Sequence, residues 1–389
     1  MRILFLAPLS FMDECGTSVH ARNVLQTLKE AGHEIDVLCF PWGGHSDPPG
    51  IRMIRLGRWL WRRRSSACSF HLRAWLDLWM FWRAVGLFLA RPYDVVHALQ
   101  ESVFAGALLK RLFRCRLVYD VKFPISDKVH QHGFLLLRPW FRLLERYETH
   151  ALASADLVLT MCPSLTDWVR AAVPSVRAVQ IENAPLTPCG HADSDAVRRL
   201  RDDLKLKGGP VVFCGDLFGP CEGAELFVKA SRIVAKNRPD AEFLVMSCDD
   251  ARLRRLKKLA QSLDLSDRFS FLVSPHSSML PPLLTLSSVL VFSGVRGIVA
   301  PPELITCMQS GKPIVATRLP RHTQSLDESC AVLVMPQPDD VAAGILRALD
   351  ESLLSNAMGR EAQARVAAHG GLASFKHKVR TAYRILMEA

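Results

Sequence analysis

The sequence predicts an α/β protein built from two doubly wound, parallel-sheet domains. Short apolar runs alternate with helical patterns from end to end, the order that builds parallel sheets with helices on both faces. At 389 residues the chain exceeds one ordinary core, so two domains are expected. A proline- and glycine-bearing stretch from Pro185 to Gly190 separates two such series.

The first series opens with an apolar run at 3–7, a loop holding Gly16, and a helical pattern through Val24, Leu25, Leu28 and Ala31. Gly32 and His33 stop that helix, and 35–40 is the next strand. Runs at 94–98, 117–121 and 157–161 follow, each after a helical stretch, completing a domain over residues 1–187. The second series has strands at 211–214, 242–246, 269–273, 289–292, 314–316 and 331–334, within a domain over 188–389. Its last helix, about 375–387, is amphipathic and suits a return to the first domain. The opening run is too short for a secretory h-region and is followed by Asp13 and Glu14. No run approaches the roughly 18 apolar residues that span a bilayer.

Apolar content of 49% and charged content of 22% belong to a globular chain. A net charge of +11 implies an anionic partner: nucleic acid, phospholipid or a phosphorylated substrate. The 11 cysteines show neither paired nor zinc-type spacing, which points to a reducing compartment and to no metal.

One stretch, Gly297 to Thr317, reads as a glycine turn, a proline-started helix, a glycine stop and a strand. Pro302 suits the first helical position and Gly311 the C-terminal cap, with Glu303 in the first turn. Amides of Gly297, Ile298, Val299 and Ala300 beside a helix N-terminus favour a phosphate. Glu303 can accept hydrogen bonds from a ribose diol; the alternative is a favourable first-turn charge and nothing more.

Several motifs then fall in a familiar order. They are Met1-Arg-Ile-Leu-Phe-Leu-Ala-Pro, Gly16-Thr, Ala31-Gly-His-Glu-Ile-Asp-Val, Tyr93-Asp-Val-Val-His-Ala, Pro239-Asp-Ala-Glu-Phe, Ser310-Gly-Lys-Pro-Ile-Val-Ala-Thr and His322-Thr-Gln. Over nearly its whole length the chain resembles the GT-B glycosyltransferases, in particular the family-four (group 1) nucleotide-sugar enzymes. The resemblance implies two Rossmann-like domains facing a central cleft, the first for the acceptor and the second for the donor. It implies retaining, metal-independent transfer of a sugar from a nucleotide-sugar to an acceptor hydroxyl, with no cofactor beyond that donor substrate.

Residue roles follow from the same resemblance. Glu303 matches the second of two glutamates that the family spaces eight apart, and the first falls on Val295. The family's diphosphate cations fall on Gly215-Asp216 and near Glu222-Gly223, so acids stand where cations are usual. Lys122 occupies a position that often holds a mechanistic His. In that frame Gly16, with Thr17, lets the backbone approach the sugar phosphate; an ordinary strand-to-helix turn is the alternative. Arg296, beside Gly297, and Arg318 offer substitute cations. His97 ends a strand at the expected crevice, as a site residue or a structural one, and Lys122 and Asp127 lie in a loop where acceptors bind. The replaced positions keep open a catalytically degenerate binding or partner subunit, and a GT-B-fold sugar-nucleotide epimerase remains a further alternative.

Residues 51–91 carry nine arginines, including Arg62, Arg63 and Arg64, against the single acid Asp77. They also carry Trp59, Trp61, Trp75, Trp79 and Trp82, of which the last three share one helical face. Arginine with interfacial aromatics suits an amphipathic element on an anionic membrane. A core helix beside an exposed basic loop is the alternative. Nucleic acid would match the charge, but no recognition motif accompanies it. The expectation is a cytoplasmic enzyme, peripheral to the inner face of a membrane, acting on a lipid-linked or polysaccharide acceptor.

Overall fold

Strands that are apolar at every position must be covered on both faces, and both sheets here are parallel throughout. The structure, a computed structural model, describes residues 1–9, 16–42, 48–57, 70–125, 138–186, 193–215, 221–247, 250–273 and 279–388. The chain divides into two units, one of residues 1–13, 17–182 and 375–389, the other of 14–16 and 183–374.

The first unit runs β1 (Arg2–Ala7), α1 (Gly16–Glu30), β2 (Glu34–Cys39), β3 (Arg52–Arg55), α2 (Phe70–Ala90), β4 (Val95–Leu99) and α3 (Val103–Phe113). It continues through β5 (Arg116–Asp120), α4 (Arg138–Ser154), β6 (Leu157–Thr160), α5 (Pro163–Ala172) and β7 (Ala178–Gln180). The strands lie in the order β3-β2-β1-β4-β5-β6-β7, reversing between β1 and β4. In open α/β sheets such a reversal is where ligands bind, at the strands' C-terminal ends.

The second unit holds α6 (Ser194–Asp203), β8 (Val211–Cys214), α7 (Cys221–Asn237), β9 (Glu242–Ser247), α8 (Asp250–Ser262), β10 (Phe269–Val273) and α9 (Leu280–Leu286). After these come β11 (Val289–Phe292), α10 (Leu304–Gln309), β12 (Ile314–Thr317), α11 (Pro320–Thr323), β13 (Val332–Val334), α12 (Pro338–Asp350) and α13 (Ser352–His369). Its order is β10-β9-β8-β11-β12-β13, with the reversal between β8 and β11.

The last helix, α14 (Leu372–Glu388), completes the first unit from residue 375 onward. Phe375, Val379, Tyr383 and Leu386, at helical spacing, are its buried stripe. Its polar side is tied by Lys376 and Arg380 to Glu30, at 2.7 and 3.2 Å, and by Lys378 to Glu182. The units divide at 182/183, ahead of the expected 187/188, and the Leu186 amide already donates to Thr306 Oγ1 at 2.8 Å.

Two strands are additional to those expected, β3 and β7. Both are edge strands with mostly half-buried side chains, so neither shows the continuous apolar run that marks the interior strands. Among the described residues no helix is long and apolar enough to cross a membrane.

Candidate functional site

At the reversal of the second sheet, β8 and β11 end side by side and release two loops. The Gly215 amide donates to the Val291 carbonyl at 2.7 Å. A Cβ on Gly215 would stand 2.7 Å from Phe292 Cζ, so the packed ring accounts for this glycine. Ser293, at the end of β11, donates its hydroxyl to the Gly223 carbonyl at 2.6 Å. The chain then runs through Gly294, Val295, Arg296 and Gly297 before reaching α10.

This second loop is held from beneath by three hydrogen bonds to its carbonyls. Thr317 Oγ1 donates to Gly294 O at 2.6 Å, Arg321 Nη1 to Arg296 O at 3.3 Å, and Gln324 Nε2 to Ile298 O at 2.8 Å. His322 Nδ1 lies 2.9 Å from the Thr317 carbonyl, so the ring proton sits on Nδ1, and Thr317 Oγ1 is 3.1 Å from the same nitrogen. Gly297 has φ +106°, a conformation side chains resist, which lets the loop turn over. Three oxygens that would repel an anion are thus drawn inward. The rim at Arg296 and Gly297 is exposed, while Ile298, Val299 and Ala300 are half-buried.

The buried cation of this region is Arg321, from the short α11 after β12. Its side chain is 6% exposed, and a Cβ on Gly294 would stand 3.1 Å from both its Cδ and its Nη1. Glycine at 294 is therefore what allows a guanidinium to lie directly under the loop. Sequence reasoning did not single out Arg321. A four-residue helix has no periodicity to read, and only Pro320, a helix-start residue, marks the place. Arg318 instead pairs on the surface with Glu328 at 2.7 Å.

One expectation about this stretch needs correction. The helix does not begin at Pro302: α10 starts at Leu304, with Glu303 at its N-cap. A proline disfavours helical backbone in the residue before it, and here the Leu304 amide closes a turn onto the Pro301 carbonyl. Glu303 is completely buried. Val295, at the position of the absent first glutamate, packs against the apolar core of the unit. Glu222 is the second residue of α7. Asp216 and Asp127 lie outside the described residues.

The reversal of the first sheet gathers side chains. Asp120 ends β5, almost fully buried, and its Oδ1 pairs with Lys122 Nζ at 2.7 Å. Its Oδ2 faces His20 Nε2 at 3.4 Å and His97 Nε2 at 3.6 Å. His97 Nδ1 lies 2.7 Å from the Tyr383 hydroxyl of α14. The carboxylate favours the ring proton on Nε2, leaving Nδ1 to accept from Tyr383. The imidazole stacks between Phe5 and Tyr383, with centroids 4.2 and 6.2 Å away. Burial lowers the pKa of His97 despite Asp120, so the ring is neutral near pH 7. Burial opposes the charge on Asp120, but Lys122 and the imidazoles outweigh it and hold the carboxyl well below its usual range. Burial likewise lowers Lys122 against the pull of Asp120.

Beside this cluster Gln100 adopts φ 52°, rare for a residue other than glycine. Its amide oxygen accepts from the Lys122 and Phe123 amides, and its amide nitrogen donates to Phe123 O at 3.2 Å. Those bonds offset the strain and fix the chain leaving β5. His97 and Lys122, read from sequence as site residues, are thus brought together but directed into the unit. Asp120, two residues before Lys122, joins them, and His20 and Tyr383 come from distant places in the sequence, which no local pattern could reveal. Gly16 is the first residue of α1 and Thr17 the half-buried second.

The tryptophan segment divides. Trp59, Trp61, Arg62, Arg63 and Arg64 lie outside the described residues. On α2, Trp75 and Trp82 are exposed, whereas Trp79 is half-buried and tilts against Trp75 at 5.0 Å.

Comparisons with known proteins fit this architecture. A family model described as "Glycosyl transferase 4-like domain" matches residues 16–184, and one described as "Glycosyl transferases group 1" matches 208–351. The fold resembles sucrose-phosphate synthase from Thermosynechococcus elongatus at 21% identity, covering 100% of both chains with a TM-score of 0.79. It resembles Anabaena Alr3699/HepE in complex with UDP and glucose at 15% identity, covering 99% of each chain with a TM-score of 0.77. It resembles WaaG, a glycosyltransferase involved in lipopolysaccharide biosynthesis, at 15% identity, covering 98% of this chain and 99% of that one with a TM-score of 0.73. At such identities these likenesses establish the GT-B fold. No sequence among the curated proteins matches.

Proposed function

The chain belongs to the group 1 glycosyltransferases, and on that premise we propose that it moves a sugar from a nucleoside-diphosphate donor to a lipid-linked or envelope polysaccharide acceptor at a membrane surface. The observation that carries the donor assignment is the loop after β11. Three of its carbonyls are drawn inward, and the Arg321 guanidinium lies beneath it. A departing diphosphate gains negative charge as the glycosidic bond breaks. A fixed cation and oriented backbone dipoles stabilise that charge without reorganising. Arg296, on the exposed rim, is the second cation of this reading.

In this reading Glu303, which matches the second of the family's paired glutamates, accepts from the ribose diol of the donor. His97 and Lys122 act here as supports: they fix the ends of β4 and β5, from which the acceptor side of the first unit is built. Retention of anomeric configuration and independence from metal follow the family resemblance and belong to this proposal.

Calorimetric titration with UDP, GDP and their sugars tests the reading. One nucleotide should bind the wild type. Arg321→Gln should weaken it by roughly ten- to a hundredfold, the worth of a charge-assisted contact of about 1.5–3 kcal/mol. A wild type that binds no nucleoside diphosphate overturns the proposal.

A further inference from the structure

The outward side of α2 departs from what a surface helix ordinarily presents. Its inner stripe, Leu76, Met80, Ala84, Leu87 and Phe88, is buried. The opposite stripe should be charged. It is instead Trp75, Leu78, Trp82 and Leu89, at 47%, 57%, 62% and 75% exposure. Steps of three, four and seven residues set these on one side of the helix. The neighbouring α3 packs beside α2, where Phe88 and Phe113 stack with centroids 4.6 Å apart. On α3, Leu108 and Leu112, one turn apart, are 53% and 61% exposed.

The exposed charges carried by these two helices have one sign. The exposed charged residues of α2, α3 and the α3 cap are Arg83, Arg111 and Arg114. Other charges are withdrawn: Arg73 pairs with Glu101 and Lys110 with Asp156, while Asp77 is half-buried. An apolar strip bearing tryptophan, on helices whose exposed charges among the described residues are all arginine, complements an anionic bilayer, with rings and leucines at the headgroup–acyl boundary and guanidinium groups on phosphates. With one face of α2 buried in the unit, the helix lies along such a surface, about 31 Å long at 1.5 Å per residue.

We propose that this face of α2 and α3 is where the enzyme docks on an anionic bilayer, an inference that rests on the membrane-acceptor reading above. It locates the contact on Trp75, Leu78, Trp82, Leu89, Leu108 and Leu112, four of which are leucines that composition did not flag.

Flotation with phosphatidylcholine vesicles, alone or mixed with phosphatidylglycerol, tests it. The wild type should float with the mixed vesicles and lose binding in high salt. The triple variant Trp75→Ser, Leu78→Ser, Trp82→Ser should bind roughly tenfold or more weakly, with its thermal midpoint and nucleotide binding retained. Arg83→Gln with Arg111→Gln and Arg114→Gln should weaken binding to the mixed vesicles and reduce its salt dependence. A wild type that binds no vesicle overturns the membrane reading itself. A wild type that binds, with both variants equal to it, overturns this face alone. Dimerisation abolished by the serine variant, without lipid binding, would make the face a contact between copies of the chain.

Discussion

At the ends of β4 and β5 the first unit gathers Asp120, Lys122, His20, His97 and Tyr383 into a buried cluster in which ionisable groups face one another. At the ends of β8 and β11 the second unit turns a loop over a single guanidinium and draws the loop's carbonyls down onto side chains. Both places lie at the C-terminal ends of parallel strands, yet one directs its charge inward and the other arranges backbone for something outside. A charged residue at a strand end is therefore a poor guide to a ligand until its partners are known. Lys122 carries a positive charge, but its counter-ion, Asp120, is already part of the fold.

The contrast is open to direct attack, beginning with the largest effect. Asp120→Asn leaves Lys122 and two imidazoles buried without their carboxylate. Loss of about 3–5 kcal/mol is expected in the urea unfolding of the first unit, with nucleotide binding by the second unit preserved in native buffer. Equal stability would remove the distinction between the two sheet ends. Gly294→Ala acts on the other side: the added methyl meets Arg321 and His322 at 3.1 Å. Overpacking should cost about 1–3 kcal/mol and lower nucleotide affinity, leaving the first unit's transition unchanged.

The smallest effect is one of pH. Because burial lowers His97, the folded protein binds fewer protons than the unfolded chain below about pH 6.5. The stability contributed by the neutral ring is complete above that pH and is lost as pH falls. His33, half-buried and likewise lowered by desolvation, adds in the same direction. Urea midpoints should fall from about pH 7 toward 5 in the wild type and fall less in His97→Gln. A slope unchanged by the substitution would show that His97 is not the group responsible.

Interior strands were legible in the sequence because a buried parallel strand is apolar at every position, and most observed bounds lie within a residue or two of those expected. The edge strands β3 and β7 lack that signature. The Gly297–Thr317 stretch was recognisable as a turn, helix and strand, but consecutive prolines delay the helix and Glu303 turns inward. Arg321 and Asp120 were out of reach for different reasons. One sits on a helix too short for a pattern, and the other shares its carboxylate with Lys122 nearby and with His20 and His97 far away in sequence. The tryptophan spacing correctly marked a helix. Which of its rings face outward depended on how α2 packs against its own unit.

The seat of Tyr383 has a consequence for biosynthesis. During translation the first sheet is complete by residue 180, but the hydroxyl that meets His97 is about 200 residues later in the chain. Until α14 emerges, the His97 ring lacks its outer stacking partner, and the apolar ground beneath Phe375, Val379 and Leu386 is bare. The first unit therefore still awaits α14 after nearly all of the chain has been made. Its stability should arrive in one late step, and truncation before residue 375 should cripple the unit whose sequence was made first.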